Sequence, residues 1–525
     1  MKKKLFCLLL VCVLALSSAG IAVYAGQPDK AYTYEGEVAV PSTNLFKVKK
    51  IVDEKVMGLD APLMDPTEIF VDKSNRVFIM DHYHPLKANG KDVNDKIKYG
   101  KVTILDENYK KIQELREFHY KGETLLLAKV PTGGGGLFYR EGADFPLYIA
   151  DTDNNRILVS DLDGNVDRIY ILPEDVMLEK ASGLKPKKLI VDNMGIMYIV
   201  SGDPAVAING ALMIDSANNF LGFYGTNKLK MTAAMKIEFM WRSILTAEQN
   251  AQSSENYQPV AFTNLFWSAE DRFVYGVSPV KDNVASTVVK LNALGKNVFA
   301  QDIDFNAIST TSKKANMQLV DMTVDEERVF TVLDQTTGRL FQYDEYCNLL
   351  GIFGGYGNQK GLFLSPVSLE VDSKNNLLVL DTKKLTITVL TQTLYGEKIR
   401  EANRLYNDGR YIESVEDWQE VLLMNPNFTR AYVGMGKACL AMDDEQSLEM
   451  FNLGKYEQAM DFFKMGKDQD GYAEAKAGLR DSIVRENFGL VAAIVILGMI
   501  GILGYDQIKA TYNKIANKIS RRKGD

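Results

Sequence analysis

The feature that most constrains this chain is a short hairpin that recurs. Tyr148 to Val166 reads YIADTDNNRILVSDLDGNV. Apolar runs at Tyr148-Ile149-Ala150 and Ile157-Leu158-Val159 are separated by Asp151, Asp153, Asn154 and Asn155, and Asp163-Gly164 closes the second run. The order is strand, polar turn, strand, turn. A single hairpin cannot bury its faces in water, so a chain built on one needs further copies.

The copies are present. The first runs from Pro66 through Asp72 and Lys73-Ser74-Asn75 to Val77–Asp81, with Lys101–Leu105 as its next strand. The stretch above is the second. The third takes Pro186–Asp192, Asn193-Met194-Gly195 and Ile196–Val200, then Leu212–Asp215. A fourth spans Asn264–Val277 with Val288–Leu291, a fifth Leu319–Leu333 with Gly338–Asp344, and a sixth Pro366–Asp381 with Thr386–Leu390. Each unit reads as an inner strand ending in Val-Asp or its equivalent, a polar turn, a middle strand and an outer strand. Asp325 and Asp372 stand 47 residues apart, the length of one blade. Six such units predict a mostly β fold, a six-bladed β-propeller over 31–395. Ala31 to Val40 is a lone strand candidate, expected to pair with the last blade and remove its free edge.

Within this region, Lys228 to Asn250 breaks the alternation. Leu229, Ala233, Met240, Trp241, Ile244 and Leu245 recur at helical spacing. A helical insertion over 228–250 is expected, packed on the propeller or serving as a lid or docking arm.

Ala150-Asp151-Thr152-Asp153-Asn154-Asn155-Arg156-Ile157 resembles the NHL-repeat signature, in which Asp and Asn-Arg tie the hairpin turn. The other five units lack the Asn-Asn-Arg-Ile run. The resemblance implies a binding platform rather than an enzyme.

After Leu394 the period changes from two to about 3.6. Ser414, Trp418, Val421 and Pro426 fall at the spacing of the second helix of a tetratricopeptide repeat, with Gly409-Arg410-Tyr411 at the turn before it. A second unit shows Tyr432, Met435 and Gly436, then Gly454-Lys455-Tyr456, Ala459 and Phe463, with Asp443 to Phe451 lengthening its first helix. The stretch 396–487 thus resembles a short TPR array, whose concave face implies a protein partner. The alternative is a stalk that spaces the propeller from a membrane.

Both ends of the chain carry apolar segments. Lys2-Lys3-Lys4, an apolar run from Leu5 to Leu16 and Val23-Tyr24-Ala25 read as a signal peptide over 1–25, cut after Ala25. Phe488 to Tyr505 holds no charge and is long enough to cross a bilayer. Six basic residues follow it in the tail 506–525, against Asp481, Arg485 and Glu486 before it. The positive-inside rule then places the tail in the cytoplasm and the body outside, in a single-pass protein of the cell membrane. Gly498, Gly501 and Gly504 lie three apart and do not form GxxxG. Ile508, Tyr512, Ile515 and Ile519 recur at helical spacing among lysines. That pattern suits either a tail lying on the anionic inner leaflet or a solvated basic anchor.

Charge and cysteine usage narrow the partners. The chain is −7; removing the +3 of the leader and the +4 of the tail leaves −14 on residues 26–505. An acidic body disfavours nucleic acid and anionic polymers. Cys347 and Cys439 remain after the leader and fall in different regions, so no disulfide framework is expected.

Little in the sequence points to catalysis. Asp81-His82-Tyr83-His84 places His82 and His84 on one strand face, where they could ligate a metal. Propellers of the gluconolactonase type, which this ring also resembles, use an axial calcium site. Asp151 and Asp153 are the candidates for such a Ca2+ ligand set, which would make the chain a calcium-dependent hydrolase or lactonase; both also suit a structural turn. Gly133, Gly134, Gly135 and Gly136 could bring backbone amides close to a ligand, or simply make a tight loop. Abundant Phe and Tyr would suit sugar stacking at the propeller mouth, and also fill blade cores. The expectation is a non-enzymatic binding protein without cofactor. Its propeller would recognise an extracellular ligand such as a carbohydrate, and its helical repeats would dock a protein. The whole architecture resembles bacterial propeller–TPR membrane proteins associated with sugar transport.

Overall fold

The computed structural model describes residues 32–35, 38–83, 99–128, 135–225, 261–280, 287–299, 301, 303 and 317–522. The leader 1–25 and the insertion 228–250 lie outside the described residues. The chain divides into two compact units, Met1–Ile399 and Arg400–Asp525.

The first unit is a six-bladed β-propeller. Its antiparallel sheets begin at six inner strands: Glu68–Val71, Leu137–Tyr139, Pro186–Val191, Asn264–Ser268, Leu319–Val324 and Pro366–Val371. Each inner strand neighbours the next, and the last neighbours the first, so the strands close a ring. Among the described residues, blades one, two, three and five carry four strands of their own and blade four shows three. Blade six takes its fourth strand from the other end of the chain.

That strand is Phe46–Val52, which pairs antiparallel with Thr386–Gln392 in the register Ile387 to Val52 and Gln392 to Phe46. The expected closing strand, Ala31 to Val40, is placed differently. Tyr32–Glu35 and Val38–Pro41 form a hairpin, and Tyr32 pairs with Ile352 on blade five. The anchors explain the choice. Phe46 stacks on Phe353 with ring centroids 4.7 Å apart, and Val52 is fully buried, so this strand brings the apolar side chains that the seam can cover.

Two polar devices repeat around the ring. In the first, a carboxylate or amide oxygen takes the N–H groups two and four residues on, and the residue three on is left-handed. Asp72, Asp192, Asp325 and Asp372 do this between inner and middle strands. Asp106, Asp161, Asp215 and Asp344 do it between third and fourth strands, and Asn292 does it after the third strand of blade four. The left-handed positions include Asn75, Gly195, Asn218, Gly295 and Asn375, residues that accept such angles at least cost.

In the second device, a buried Asp at the end of the second strand accepts backbone N–H groups from the segment entering its own blade. Asp81 takes Met64 and Asp65, Asp151 takes Ala128, Asp334 takes Gln318, and Asp381 takes Leu364. The stretch from Tyr148 to Val166 belongs to this second class. Tyr148-Ile149-Ala150 and Ile157-Leu158-Val159 are the second and third strands of blade two, not its inner and middle ones. The inner strand is the three-residue Leu137–Tyr139 upstream, too short to announce itself by alternation.

The chain then turns helical. The helices are α1 (Leu394–Asn407), α2 (Val415–Met424), α3 (Thr429–Ala441), α4 (Asp444–Phe451), α5 (Lys455–Met465), α6 (Gln469–Glu486) and α7 (Phe488–Arg522). In the second unit α2 packs on α3, and α3, α5 and α6 pack together. Trp418, Ala431, Ala459 and Phe463 are fully buried there. Ser414 is buried at the N-cap position of α2, but its Oγ donates back to the Tyr411 carbonyl at 2.6 Å and takes no N–H of the helix. Pro426 stands exposed in the turn before α3, Gly454 caps α5, and Tyr456 is half-buried. Asp443 to Phe451 does not lengthen α3. Met442 is extended, and Asp443 with Gln446 forms a capping box that starts α4 as a separate helix.

α6 ends at Glu486 and α7 starts two residues later. From Phe488 to Asn517, α7 is long and apolar enough to cross a membrane, and none of its most apolar stretch is buried. The uncharged run 488–505 and the basic tail as far as Arg522 lie on one uninterrupted helix.

Candidate functional site

The six inner strands enclose an axial cavity of about 560 Å³, within the range of small-molecule pockets. Strand register aligns its walls. Glu68, Lys188, Asn264, Asp321 and Ser368 pair with Met80, Val200, Val277, Leu333 and Leu380, the residues just before Asp81, Ser201, Ser278, Asp334 and Asp381, and Gly136, next to the Leu137 that pairs with Ile149, is their equivalent in blade two. This level is polar and almost wholly buried.

Its members stitch the blades together. Lys188 of blade three pairs with Glu68 of blade one. Between them, blade two contributes Gly136, and a Cβ there would come within 2.8 Å of the Lys188 Cα. Glycine at this position therefore lets the two blades approach. Asn264 Nδ2 donates to Asp321 Oδ1 at 2.5 Å, and Asp321 also accepts the N–H of Met322 at 2.8 Å and of Leu369, in blade six, at 2.7 Å. Ser368 accepts the Ile69 N–H at 3.2 Å and donates to Glu68 Oε1 at 3.3 Å.

Burial dominates the electrostatics. It pulls the Lys188 ammonium down to about 8, against the opposing pull of Asp321 and Glu370. The same burial pushes the Asp321 carboxyl up, with Lys188 and the two backbone N–H groups opposing. Glu370, two residues beyond Ser368, is pushed well above the ordinary range by burial and by the Asp321 charge. A raised carboxyl pKa means a proton is held closer to neutrality, and a protonated carboxyl can donate as well as accept.

Beyond this level the wall is aromatic and aliphatic: Phe70, Phe138, Tyr139, Ile190, Phe266 and Trp267 line the cavity. Phe70 and Phe138 meet edge to face, 5.5 Å between centroids. The cavity then extends to the turns after the inner strands, where Lys73, Glu141, Asn193, Glu270 and Glu326 reach it. Polar floor, aromatic wall and charged rim can hold a ligand that is apolar on its faces and polar on its edges.

The residues singled out in the sequence are not brought together here. Asp151 is fully buried in the blade-two turn, accepting from Arg156 Nε at 2.7 Å, Asn154 Nδ2 at 2.8 Å and the Ala128 N–H at 2.9 Å. Asp153 is exposed on the same turn. His82 is buried in blade one, with Nδ1 2.8 Å from the Asp65 carbonyl. His84 lies outside the described residues. Among the described residues no three His, Cys, Asp or Glu side chains are grouped to hold a metal ion. Of the four glycines, Gly133 and Gly134 lie outside the described residues. The Gly135 N–H donates to Thr152 Oγ1 at 3.3 Å and the Gly136 N–H to the Lys187 carbonyl at 2.7 Å, so both amides are used within the fold. Of the two described glycines, Gly136 lines the cavity. The polar level itself was missed in the sequence. The available signal was a polar residue at one register position of five inner strands, with glycine at the sixth.

No family model matches the chain, and no curated protein does. Solved propellers are similar to it. One is virginiamycin B lyase from Staphylococcus aureus, at 12% identity and a TM-score of 0.36, covering 66% of this chain and 100% of that one. The Cps50 (Swd1) β-propeller domain of Myceliophteria thermophila gives 9% identity and a TM-score of 0.36, with 66% and 100% covered. A gluconolactonase from Xanthomonas campestris gives 11% and 0.34, with 66% and 99% covered. The six-bladed assignment rests on the pairing of the strands described above.

Proposed function

We propose that this chain is a membrane-tethered recognition protein whose propeller binds a small extracellular ligand in its axial cavity. The observation that carries this reading is the cavity itself, with buried polar groups at one level and Phe70, Phe138, Phe266 and Trp267 on the wall beyond it. A carbohydrate fits that chemistry, since its ring faces stack on aromatics and its hydroxyls pair with carboxyls and amides. The helical unit, read as TPR-like from Tyr411, Ser414, Trp418, Pro426, Gly454, Tyr456, Ala459 and Phe463, serves as the docking surface for a protein partner, in the manner of an accessory to a transport system. The apolar stretch of α7 supports a single membrane span, with basic residues after it favouring a cytoplasmic tail. No metal or cofactor enters this reading, and nothing in the placement of His82, Asp151 and Asp153 favours a calcium-dependent lactonase.

The test is thermal stabilisation of the full chain in detergent across a panel of soluble mono- and oligosaccharides, repeated with Phe266→Ala and Glu370→Gln. A sugar that raises the melting temperature of the native chain and of neither variant supports the reading. Stabilisation that survives both substitutions places the ligand elsewhere and refutes the axial site.

A further inference from the structure

We infer that α7 pairs with α7 of a second copy of this chain along one seam, and that the protein is a dimer in the membrane. The observation is a period. Ile494, Gly498, Gly501, Tyr505, Ile508, Tyr512, Ile515 and Ile519 follow one another in alternating steps of four and three. That is 3.5 residues per turn, the repeat of a left-handed coiled coil.

The second half of the helix makes the seam specific. In residues 506–522 the large apolar side chains are Ile508, Tyr512, Ile515 and Ile519; every other position is polar, charged or alanine. They are exposed by 70%, 71%, 54% and 54%. Two apolar positions per heptad make a stripe as narrow as a coiled-coil seam, whereas a helix laid on a globular core or an interface carries about three.

A lipid surface fits this stripe poorly. α7 runs from Phe488 to Arg522 without a break. Its last 17 residues therefore extend the axis of the apolar part by roughly 26 Å. Lying flat on a leaflet would need a bend that the helix does not contain. A parallel second copy, in contrast, meets the stripe along its full length. In the apolar half the seam runs over Gly498 and Gly501, where nothing stands within 4 Å of a Cβ position and two backbones can approach closely.

Two and a half heptads of water-exposed seam, with Lys509 and Lys518 beside it, would be marginal alone. In this respect the dimer rests on the membrane-tether reading, since two anchored helices share a raised local concentration. The seam itself rests only on the helix.

Cysteine scanning of the full chain in native membranes tests both. Ile508→Cys, Tyr512→Cys, Ile515→Cys and Ile519→Cys are compared with Gln507→Cys, Ala510→Cys, Lys514→Cys and Asn517→Cys under mild oxidation, with the unsubstituted chain as the control. The seam predicts a disulfide-linked dimer at the first four positions and its loss at the second four. Cross-links at all eight positions, or at none, overturn the dimer. So does selective quenching of labelled Ile515→Cys by a lipid-phase quencher. Carbonate extraction reads the tether separately: a chain released by carbonate yet cross-linked on the seam refutes the tether and keeps the dimer.

Discussion

Replacing Lys188 with methionine asks what holds the axis together. Lys188 and Glu68 are each 5% exposed and pair across the space left by Gly136. Methionine keeps the length of the side chain but removes the charge, so Glu68 loses its counter-ion while Asp321 and Glu370 remain nearby. Breaking a buried pair from one side costs ~3–5 kcal/mol, because the surviving charge has neither water nor partner. Removing both charges, in Lys188→Met with Glu68→Met, leaves apolar groups of similar size and is expected within ~1 kcal/mol of the native chain. The assay is equilibrium urea unfolding of the full chain in detergent, following tyrosine ellipticity of the propeller. A single variant that loses less than ~1 kcal/mol, or a double variant that loses as much as the single, would mean that the pair is solvated and the polar level is not a girdle.

The pH response follows from Glu370 and Asp321, whose carboxyls are both raised. Between the ordinary carboxylate range and the raised values, the folded unit holds protons that the unfolded chain has released. Stability contributed by these groups is therefore gained as pH falls toward the ordinary range and lost as it rises; Glu370→Gln should stabilise at neutral pH and flatten that slope, as read by melting temperature from about pH 5 to 7. In the helical unit, Trp418 is fully buried against Phe428 and beside Gly434. Trp418→Ala should cost ~3–5 kcal/mol by urea unfolding, and a loss under ~1 kcal/mol would show that the site collapses around the cavity. Among the described residues, deleting 26–41 removes the hairpin on blade five alone, whereas deleting 26–52 also removes the fourth strand of blade six. Limited proteolysis should find the first deletion as resistant as the native chain and the second degraded; equal resistance would refute closure by Phe46–Val52.

Much of this is legible in the sequence. Blades are local objects: an Asp or Asn opening a turn and a strand on either side are neighbours in sequence, so Asp72, Asp192, Asp325 and Asp372 mark their hairpins by composition alone. The helical period after Leu394 and the uncharged run from Phe488 are local in the same way. The misreadings share one cause. Asp151 looks like the turn Asp of an inner hairpin, and only its reach back to Ala128 shows that it belongs to the second class. Ala31 to Val40 reads as the closing strand, and only the pairing of Phe46–Val52 with Thr386–Gln392 shows that a segment the sequence did not single out takes that place. His82 and Asp151 looked like possible ligands, and each is instead bound to its own blade's entry segment or turn.

By itself the sequence determined the number of blades, the order of the units and the place of the apolar helix, because each depends on contacts a few residues apart. Only the tertiary structure decided which residues meet on the axis. Glu68, Lys188, Asn264, Asp321 and Ser368 are drawn from five blades, and nothing short of closing the ring brings side chains so far apart in sequence into one buried level, where the loss of water sets their charge.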